Sequence, residues 1–374
     1  MILKIKNEAL LKALSAVSKA LPSRTPFEAL YQIKFEASEA GLRLTSSNSD
    51  LTVKKWIPIS KDELVIQAAG DVLLPGKQLV ELTRRLKGEW VTFSLVEQAV
   101  LVKSGKSKFT LNATASSLYP NINEPTDENS RLVVSQNELM RLFKETLPFT
   151  ATQEARPVLT GVCLTLESDC WTCISTDSFQ LSKVRVPHQQ LLEGKHTFVV
   201  PRDSLTNLLK LFPITKEEPS LQLSWDATML HVETTDLLVS TRLLENAYPD
   251  TSAFIPTTFE QMIQVNRSQL LDVVDRLLLL ADSNDTVTLT LHPETQVLHL
   301  DASQECGRAE EELECQGIQQ PLRILFNGKF FKEAIQSLNG TDVLLCFNGD
   351  LRPFVLHNPE EDQSIRLIVP MRAA

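Results

Sequence analysis

Val200-Pro201-Arg202-Asp203, near the middle of the chain, decides how the rest is read. An apolar residue leads into a proline, and Leu205, Leu208 and Leu209 follow at helical spacing. Proline at the first helical position is a good start signal, because its missing N–H is one the first turn leaves unpaired anyway. The same construction stands 126 residues earlier (75 to 201), where Leu74-Pro75-Gly76-Lys77 opens a run with Leu79, Leu82 and Leu86. It stands again 126 residues later (201 to 327), where Phe326-Asn327-Gly328-Lys329 leads into Phe330, Ala334, Ile335 and Leu338. Gly88 and Gly340 fall where the first and third of these helices should stop.

A second helix class repeats with the first. Asn7-Glu8-Ala9-Leu10, Gln136-Asn137-Glu138-Leu139 and Arg267-Ser268-Gln269-Leu270 each open an apolar stripe, and a short strand precedes each, at Ile2–Ile5, Leu132–Val134 and Met262–Val265. Tyr119-Pro120-Asn121 and Tyr248-Pro249-Asp250 are a third marker, 129 residues apart (119 to 248). Both follow alternating stretches, Lys106–Leu111 and Leu238–Leu243. Much of the remainder reads as short strands with polar turns, such as Gly41–Thr45, Val91–Leu95, Leu221–Ser224, Val287–Leu291 and Val343–Phe347. Two helices and many strands per unit predict an α+β fold of three similar domains, 1–126, 130–256 and 258–374. The breaks fall in the Pro-, Thr- and acid-rich stretches Asn123–Ser130 and Ile255–Glu260.

Bulk properties narrow the function classes. The chain has 374 residues, 43% of them apolar, and a formal net charge of -10. That charge argues against a protein coating nucleic acid with its whole surface, but it leaves room for one basic face. Met1–Lys6 alternates apolar and charged residues, so it does not read as a secretory signal. No apolar run approaches the roughly 20 residues of a membrane helix. Six cysteines without a signal peptide fit reduced thiols in a cytoplasmic protein.

The helices are mildly basic in this acidic chain. Lys12, Lys77, Arg84, Arg141, Lys144, Arg202, Lys329 and Lys332 lie on or at the ends of helical runs, and Arg24 follows the first. Lysine and arginine attract phosphates without reading sequence. These nine are the candidate phosphate-facing residues if the repeat brings the helices to one surface, and the DNA-facing ones if the phosphates are DNA's; a solvated face is the alternative for any single one.

Enzymatic signatures fail on inspection. Gly105-Lys106-Ser107 lacks the earlier glycine of a phosphate-binding loop, since position 100 is Val100. The six histidines show no metal-ligand spacing: His188 and His196 read as loop residues, and His292 and His299 flank a hairpin turn. Cys170-Trp171-Thr172-Cys173 has redox spacing but lies on a predicted strand, where residues three apart point to opposite faces. A thiol oxidoreductase using Cys170 and Cys173 is therefore the alternative from a different class. No catalytic residue, metal or cofactor is implied.

Six segments carry a family resemblance over essentially the whole length. They are Arg156-Pro157-Val158-Leu159-Thr160-Gly161-Val162, Val199-Val200-Pro201-Arg202, Thr241-Arg242-Leu243-Leu244-Glu245, Tyr248-Pro249-Asp250-Thr251, Arg352-Pro353-Phe354 and Leu367-Ile368-Val369-Pro370-Met371-Arg372. In this order, on a threefold repeat, they resemble the bacterial replicative sliding clamp, the beta subunit of DNA polymerase III. The resemblance implies three clamp domains, each with two inner helices and outer antiparallel sheets. It implies a head-to-tail homodimeric ring around double-stranded DNA, held without sequence preference. Such a ring tethers the polymerase III alpha subunit, the clamp loader and other proteins with clamp-binding motifs, so each meets DNA at high effective concentration.

The resemblance also assigns sites. At the dimer interface, Lys103, Lys106 and Lys108, read as alternating along one strand, face the acidic run Glu310, Glu311, Glu312 and Glu314; opposite charges there would fix register. Phe109 and Leu111 would meet Leu279 and Leu280. A peptide cleft between domains two and three would be lined by Leu159, Thr176, Phe179, Leu181, Pro249, Phe254, Leu367, Val369 and Met371, with Arg156, Asn327, Phe330 and Pro353 in its second half. The chain departs from the family there. Phe179-Gln180 stands where His-Arg is usual, and Ala253 where some members carry a basic residue. A cation is lost and an aromatic face gained, which puts the range of partners in question and suggests a specialised copy with a rewired cleft.

Overall fold

The computed structural model describes residues 1–122, 131–153, 155–188 and 192–372. The chain order repeats three times. The first third runs β1 (Ile2–Lys6), α1 (Asn7–Val17), β2 (Gln32–Ala37), β3 (Gly41–Ser47), β4 (Leu51–Pro58), β5 (Leu64–Ala68), β6 (Gly70–Pro75), α2 (Gly76–Arg85), β7 (Trp90–Val96), β8 (Ala99–Ser104) and β9 (Ser107–Asn112). The second runs β10 (Arg131–Ser135), α3 (Gln136–Thr146), β11 (Gly161–Leu166), β12 (Cys170–Thr176), β13 (Gln180–Pro187), β14 (His196–Pro201), α4 (Arg202–Leu211), β15 (Ser220–Trp225), β16 (Met229–Glu233) and β17 (Leu237–Arg242). The third runs β18 (Gln261–Asn266), α5 (Arg267–Leu277), β19 (Thr286–His292), β20 (Val297–Gln304), β21 (Gly307–Glu314), β22 (Leu322–Asn327), α6 (Gly328–Ser337), β23 (Asp342–Phe347), β24 (Phe354–Asn358) and β25 (Glu361–Ile368). Among the described residues, only β5 has no counterpart in the other two thirds.

The helices form where the leucine stripes predict them, and the stripes are their buried faces: Leu10, Leu14 and Val17 on α1, Leu270, Val274 and Leu277 on α5. Two sequence expectations need correction. Pro75 and Pro201 stand one residue before their helices and close β6 and β14, so proline acts there as a strand end rather than a first helical residue. His196 opens β14 instead of lying in a loop. The expected domain break at 123–130 lies outside the described residues.

The chain folds as two compact units, Met1–Asn137 with Thr206–Leu243, and Glu138–Leu205 with Leu244–Ala374. The first holds a five-stranded sheet, β5-β1-β7-β8-β9, and an eight-stranded sheet, β10-β15-β16-β17-β4-β3-β2-β6. The second holds an eight-stranded sheet, β14-β11-β12-β13-β25-β24-β23-β18, and a four-stranded sheet, β21-β20-β19-β22. Every pairing is antiparallel. The middle third is thus shared. Its last strand, β17, bonds to β4, and its β13 bonds to β25. In the first unit α1 packs on α2 and on β4; in the second, α5 packs on α6 and β21. The second unit's core runs from Phe149 through α5, β19, β20 and α6 to Phe354 and Ile368.

Candidate functional site

A cleft opens on the second unit where β13 meets β25. Along the seam Gln180 faces Ile368, Leu181 faces Leu367, Ser182 faces Arg366 and Lys183 faces Ile365. Side chains alternate along a strand, so Leu181 and Leu367 share one face while Ser182 and Arg366 share the other. Leu181 and Leu367 pack with Val355 and Cys346 in a small apolar cluster, with Ile174, Ile255 and Phe259 against it. Burial there pushes the Cys346 thiol up to about 12.

Four local devices raise the walls. The turn Pro157–Thr160 brings Leu159 in, and the turn Ser252–Phe254 presents Phe254, which is 66% exposed. The Tyr248 phenol oxygen accepts a hydrogen bond from the Thr176 backbone at 3.0 Å, which anchors Pro249 beside β12; burial raises that phenol's pKa far above its ordinary value. The β12–β13 turn is set by Asp177, whose Oδ1 accepts from the N–H groups of Phe179 (2.8 Å) and Gln180 (2.9 Å). The result is a cavity of about 240 Å³. Arg156, Leu159, Thr176, Leu181, Pro249, Phe254, Pro353, Leu367 and Val369 all line it, as does Gln180, noted in the sequence as a departure; so do Ser178, Asp250 and Thr251, which sequence reasoning did not place in the cleft. An apolar floor with a few polar groups at the rim suits an extended chain with apolar anchors.

Other expected cleft residues lie elsewhere. Phe179 is 63% exposed and does not line the cavity. It follows Ser178 and its carbonyl accepts from Val369 N–H at 2.9 Å, so it stands at the rim. Met371 bonds through its N–H to the Leu325 carbonyl. Asn327 caps α6, accepting from the N–H groups of Lys329 and Phe330 and donating to the Asn284 carbonyl; neither it nor Phe330 lines the cavity. Gln180 does not replace the lost cation with an outward group. Its side chain is buried, its amide donates to Asp177 at 3.2 Å, and its Oε1 has no hydrogen-bond partner among the described residues.

The expected interface strands are both sheet edges. β9 ends the five-stranded sheet and β21 ends the four-stranded one. On β21 exposure alternates: Glu310, Glu312 and Glu314 are exposed, while Glu311 turns back to Arg276 of α5 in a two-point ion pair of 2.6 and 2.8 Å. That guanidinium holds Glu311 below the usual carboxylate range. Phe109 is 37% exposed, Leu111 half-buried and Leu279 76% exposed; Leu280 lies against Gly307 at the start of β21. Lys103, Lys106 and Lys108 do not alternate along one strand. Lys103 is on β8, Lys108 faces it on β9, and Lys106 is in the turn between, where Gly105 has φ +56°. A glycine that takes left-handed φ freely marks a hairpin.

The expected DNA-facing cations divide by partner. Lys12, Arg24, Lys77 and Lys144 are exposed. Arg84 pairs with Glu81, Lys329 with Asp285 and Lys332 with Asp275. Arg141 is held by Glu145 and Glu361. Arg202 plays a structural part instead. Its guanidinium donates to the Leu147 and Thr150 carbonyls and to the Thr150 hydroxyl, closing the turn after α3. Cys173 is fully buried and its thiol is pushed well above its ordinary pKa, the opposite of a reactive thiolate. Among the described residues no cluster of three His, Cys, Asp or Glu could hold a metal. No described helix is long and apolar enough to cross a membrane.

Comparisons with known proteins cover the whole chain. Family models of the DNA polymerase III beta subunit match in order: the N-terminal domain over residues 1–123, the central domain over 133–250 and the C-terminal domain over 252–372. The beta sliding clamp of Bacillus subtilis (strain 168) is 29% identical over 379 residues, covering 98% of each chain. The crystal structure of the Bacillus subtilis DNA polymerase sliding clamp matches at a TM-score of 0.95 and 28% identity, covering 100% of both chains. That of the DNA polymerase III beta chain from Streptococcus pneumoniae TIGR4 matches at 0.94 and 27%, again over 100% of both.

Proposed function

This chain belongs to the DNA polymerase III beta-subunit family, the sliding clamps, and on that premise we propose how it assembles and holds its partners. It is a processivity factor rather than an enzyme: it encircles DNA and tethers polymerase. Two copies close head to tail, β9 of each adding to β21 of the other, and the cleft at Leu181 and Leu367 receives a partner peptide.

One observation carries the ring. The last strand of the second third (β17) pairs with β4, and the last of the third third (β25) pairs with β13. Each acceptor is the third strand after its helix. By that rule β9 and β21 are the two left over, and both are open edges. An open edge carries unpaired N–H and C=O groups ready for another strand. The internal seams also supply the register. Thr52 faces Ser240 and Leu181 faces Leu367; Arg308 and Thr110 hold the matching places, because Ser303 faces Arg308 as Thr176 faces Leu181, and Val102 faces Phe109 as Val232 faces Val239. Carried across two subunits, this sets Ala309 opposite Phe109 and Glu310 opposite Lys108, with Glu312 next to Lys106. Charge complementarity thus follows from a register derived without reference to charge.

We assign the domains as 1–126, 130–256 and 258–374, supported by the family matches and the threefold element order. The unpaired state of all six cysteines supports a cytoplasmic location. The DNA-facing role falls to the exposed Lys12, Arg24, Lys77 and Lys144, joined by Arg84, Arg141, Lys329 and Lys332 if phosphates compete with their present carboxylates. The test is to load the protein on nicked circular DNA with a clamp loader, then linearise. A dimer that stays on circles and runs off linear ends is expected; a monomer at micromolar concentration that leaves circles as fast as lines would refute the ring.

A further inference from the structure

We infer that Arg366 is a positioning residue for the peptide cleft, holding the β13–β25 seam from the face opposite the cleft floor. The inference rests on the cleft reading above. Arg366 is fully buried. Its guanidinium donates from Nη2 to Glu145 Oε2 at 2.8 Å and to the Ser337 carbonyl at 3.0 Å, and from Nε to the Ser337 hydroxyl at 2.6 Å. Glu145 belongs to α3 and Ser337 ends α6. One side chain of β25 therefore ties the strand to a helix from each of the two thirds that meet at the seam. Glu145 is itself held by Arg141 at 2.7 Å and by Asn339 at 2.8 Å.

The chain supplies its own control. At the other internal seam the place of Arg366 is taken by Val239, and that of Glu145, counted along the helix, by Ala16. In the first third Phe109 holds the place of Arg366. That one place is thus filled there without any charge, and the ion pair this seam does carry, buried Lys55 with Asp236, stands two residues along β4 from it. What distinguishes the β13–β25 seam is its other face. The neighbour of Arg366 is Leu367, which meets Leu181 as the cleft floor. At the first seam the matching face carries Ser47, Thr52 and Ser240, and it has no apolar floor to align. A forked guanidinium with fixed donors sets position in a way that sliding apolar contacts do not. Buried ion pairs are poor contributors to stability but can specify register.

The test pairs peptide affinity with stability. Because Arg366→Met alone strands a buried carboxylate and risks unfolding the protein, the main variant is the double substitution Glu145→Leu with Arg366→Met. The probe is a fluorescent peptide carrying the clamp-binding segment of a polymerase III alpha subunit. The expected result is an unchanged or raised Tm with a tenfold or greater loss of peptide affinity, together with faster hydrogen exchange at the Leu367 and Val369 amides. Wild-type affinity and exchange in the folded double variant would overturn the inference. Failure of the wild-type protein to bind the peptide would instead overturn the cleft reading, and with it this role. If the double variant also fails to fold, Arg366→Lys decides: it keeps the charge but loses the fork, so a folded protein with reduced affinity supports positioning and full affinity refutes it.

Discussion

Ser49 and Ser178 hold the same left-handed backbone conformation, φ 82° and 84°, at places 129 residues apart (49 to 178). Each follows a side chain that organises the turn. Asn48 Oδ1 accepts from the N–H groups of Asp50 and Leu51, and Asp177 Oδ1 from those of Phe179 and Gln180. The repeat is therefore preserved down to turn chemistry, even where its faces have diverged from apolar at Leu181 to polar at Thr52.

That relationship predicts a stabilising substitution. A residue with a Cβ loses about 1–2 kcal/mol in left-handed backbone, while glycine loses part of that gain to its greater freedom when unfolded. Ser178→Gly should raise stability by up to about 1 kcal/mol, and Ser178→Val should lower it. Urea denaturation checks both; a destabilised glycine variant would show that the hydroxyl matters more than the strain.

The interface register predicts a charge-swap result. Lys108→Glu or Glu310→Lys alone should weaken dimerisation roughly tenfold, about 1.4 kcal/mol, through like-charge contact. The double swap should recover most of it. Analytical ultracentrifugation at two salt concentrations measures the coupling, and additive losses in the double variant would place the two residues apart.

At the cleft, Leu367→Ala removes floor from beneath a central anchor. Truncations of that kind cost about 2 kcal/mol or more at binding hot spots, so peptide affinity should fall roughly thirtyfold while retention on circular DNA by the preloaded ring persists. Phe179→His, which restores the residue usual in the family, should shift affinity among partner peptides without changing Tm. Equal affinities across a peptide panel would mean the rim plays no part in selection.

His231 predicts a pH effect. Its ring is buried and bonds through Nδ1 to the Ser240 hydroxyl at 2.7 Å. Burial lowers its pKa below 6.5, with Asp226 pulling it back up and Lys54 pushing it down. The unfolded chain therefore takes the proton first as pH falls. Its contribution is complete above about pH 6.5, declines as pH drops through that value, and stops declining below the folded pKa. The urea midpoint should fall between pH 7 and pH 5, and His231→Asn should flatten that part of the curve. An equally steep curve in the variant would assign the effect to carboxylates.

Much of the fold was legible from local pattern. Leu10, Leu139 and Leu270 mark the same helix three times because a helix must bury one stripe, and that need is written at a period of 3.6 residues. Cleft and interface residues were legible only through resemblance and the cations only by their place on helical runs, and where either failed the cause was local chemistry. Asn327 caps a helix and Arg202 closes a turn, roles that leave the same residue types in the sequence as binding does. Gly105-Lys106 was a hairpin turn read as strand, although glycine before lysine already carried the warning.

The sequence by itself determined the elements, their threefold order and the apolar face of each, since these follow from spacing along one chain. Only the tertiary structure decided that β17 joins β4, that β13 joins β25, and that Arg366 reaches Glu145 from 221 residues away. Pairing partners far apart in sequence share no period. They are chosen by which edges remain open once each sheet has formed, and by whether a register buries the right face.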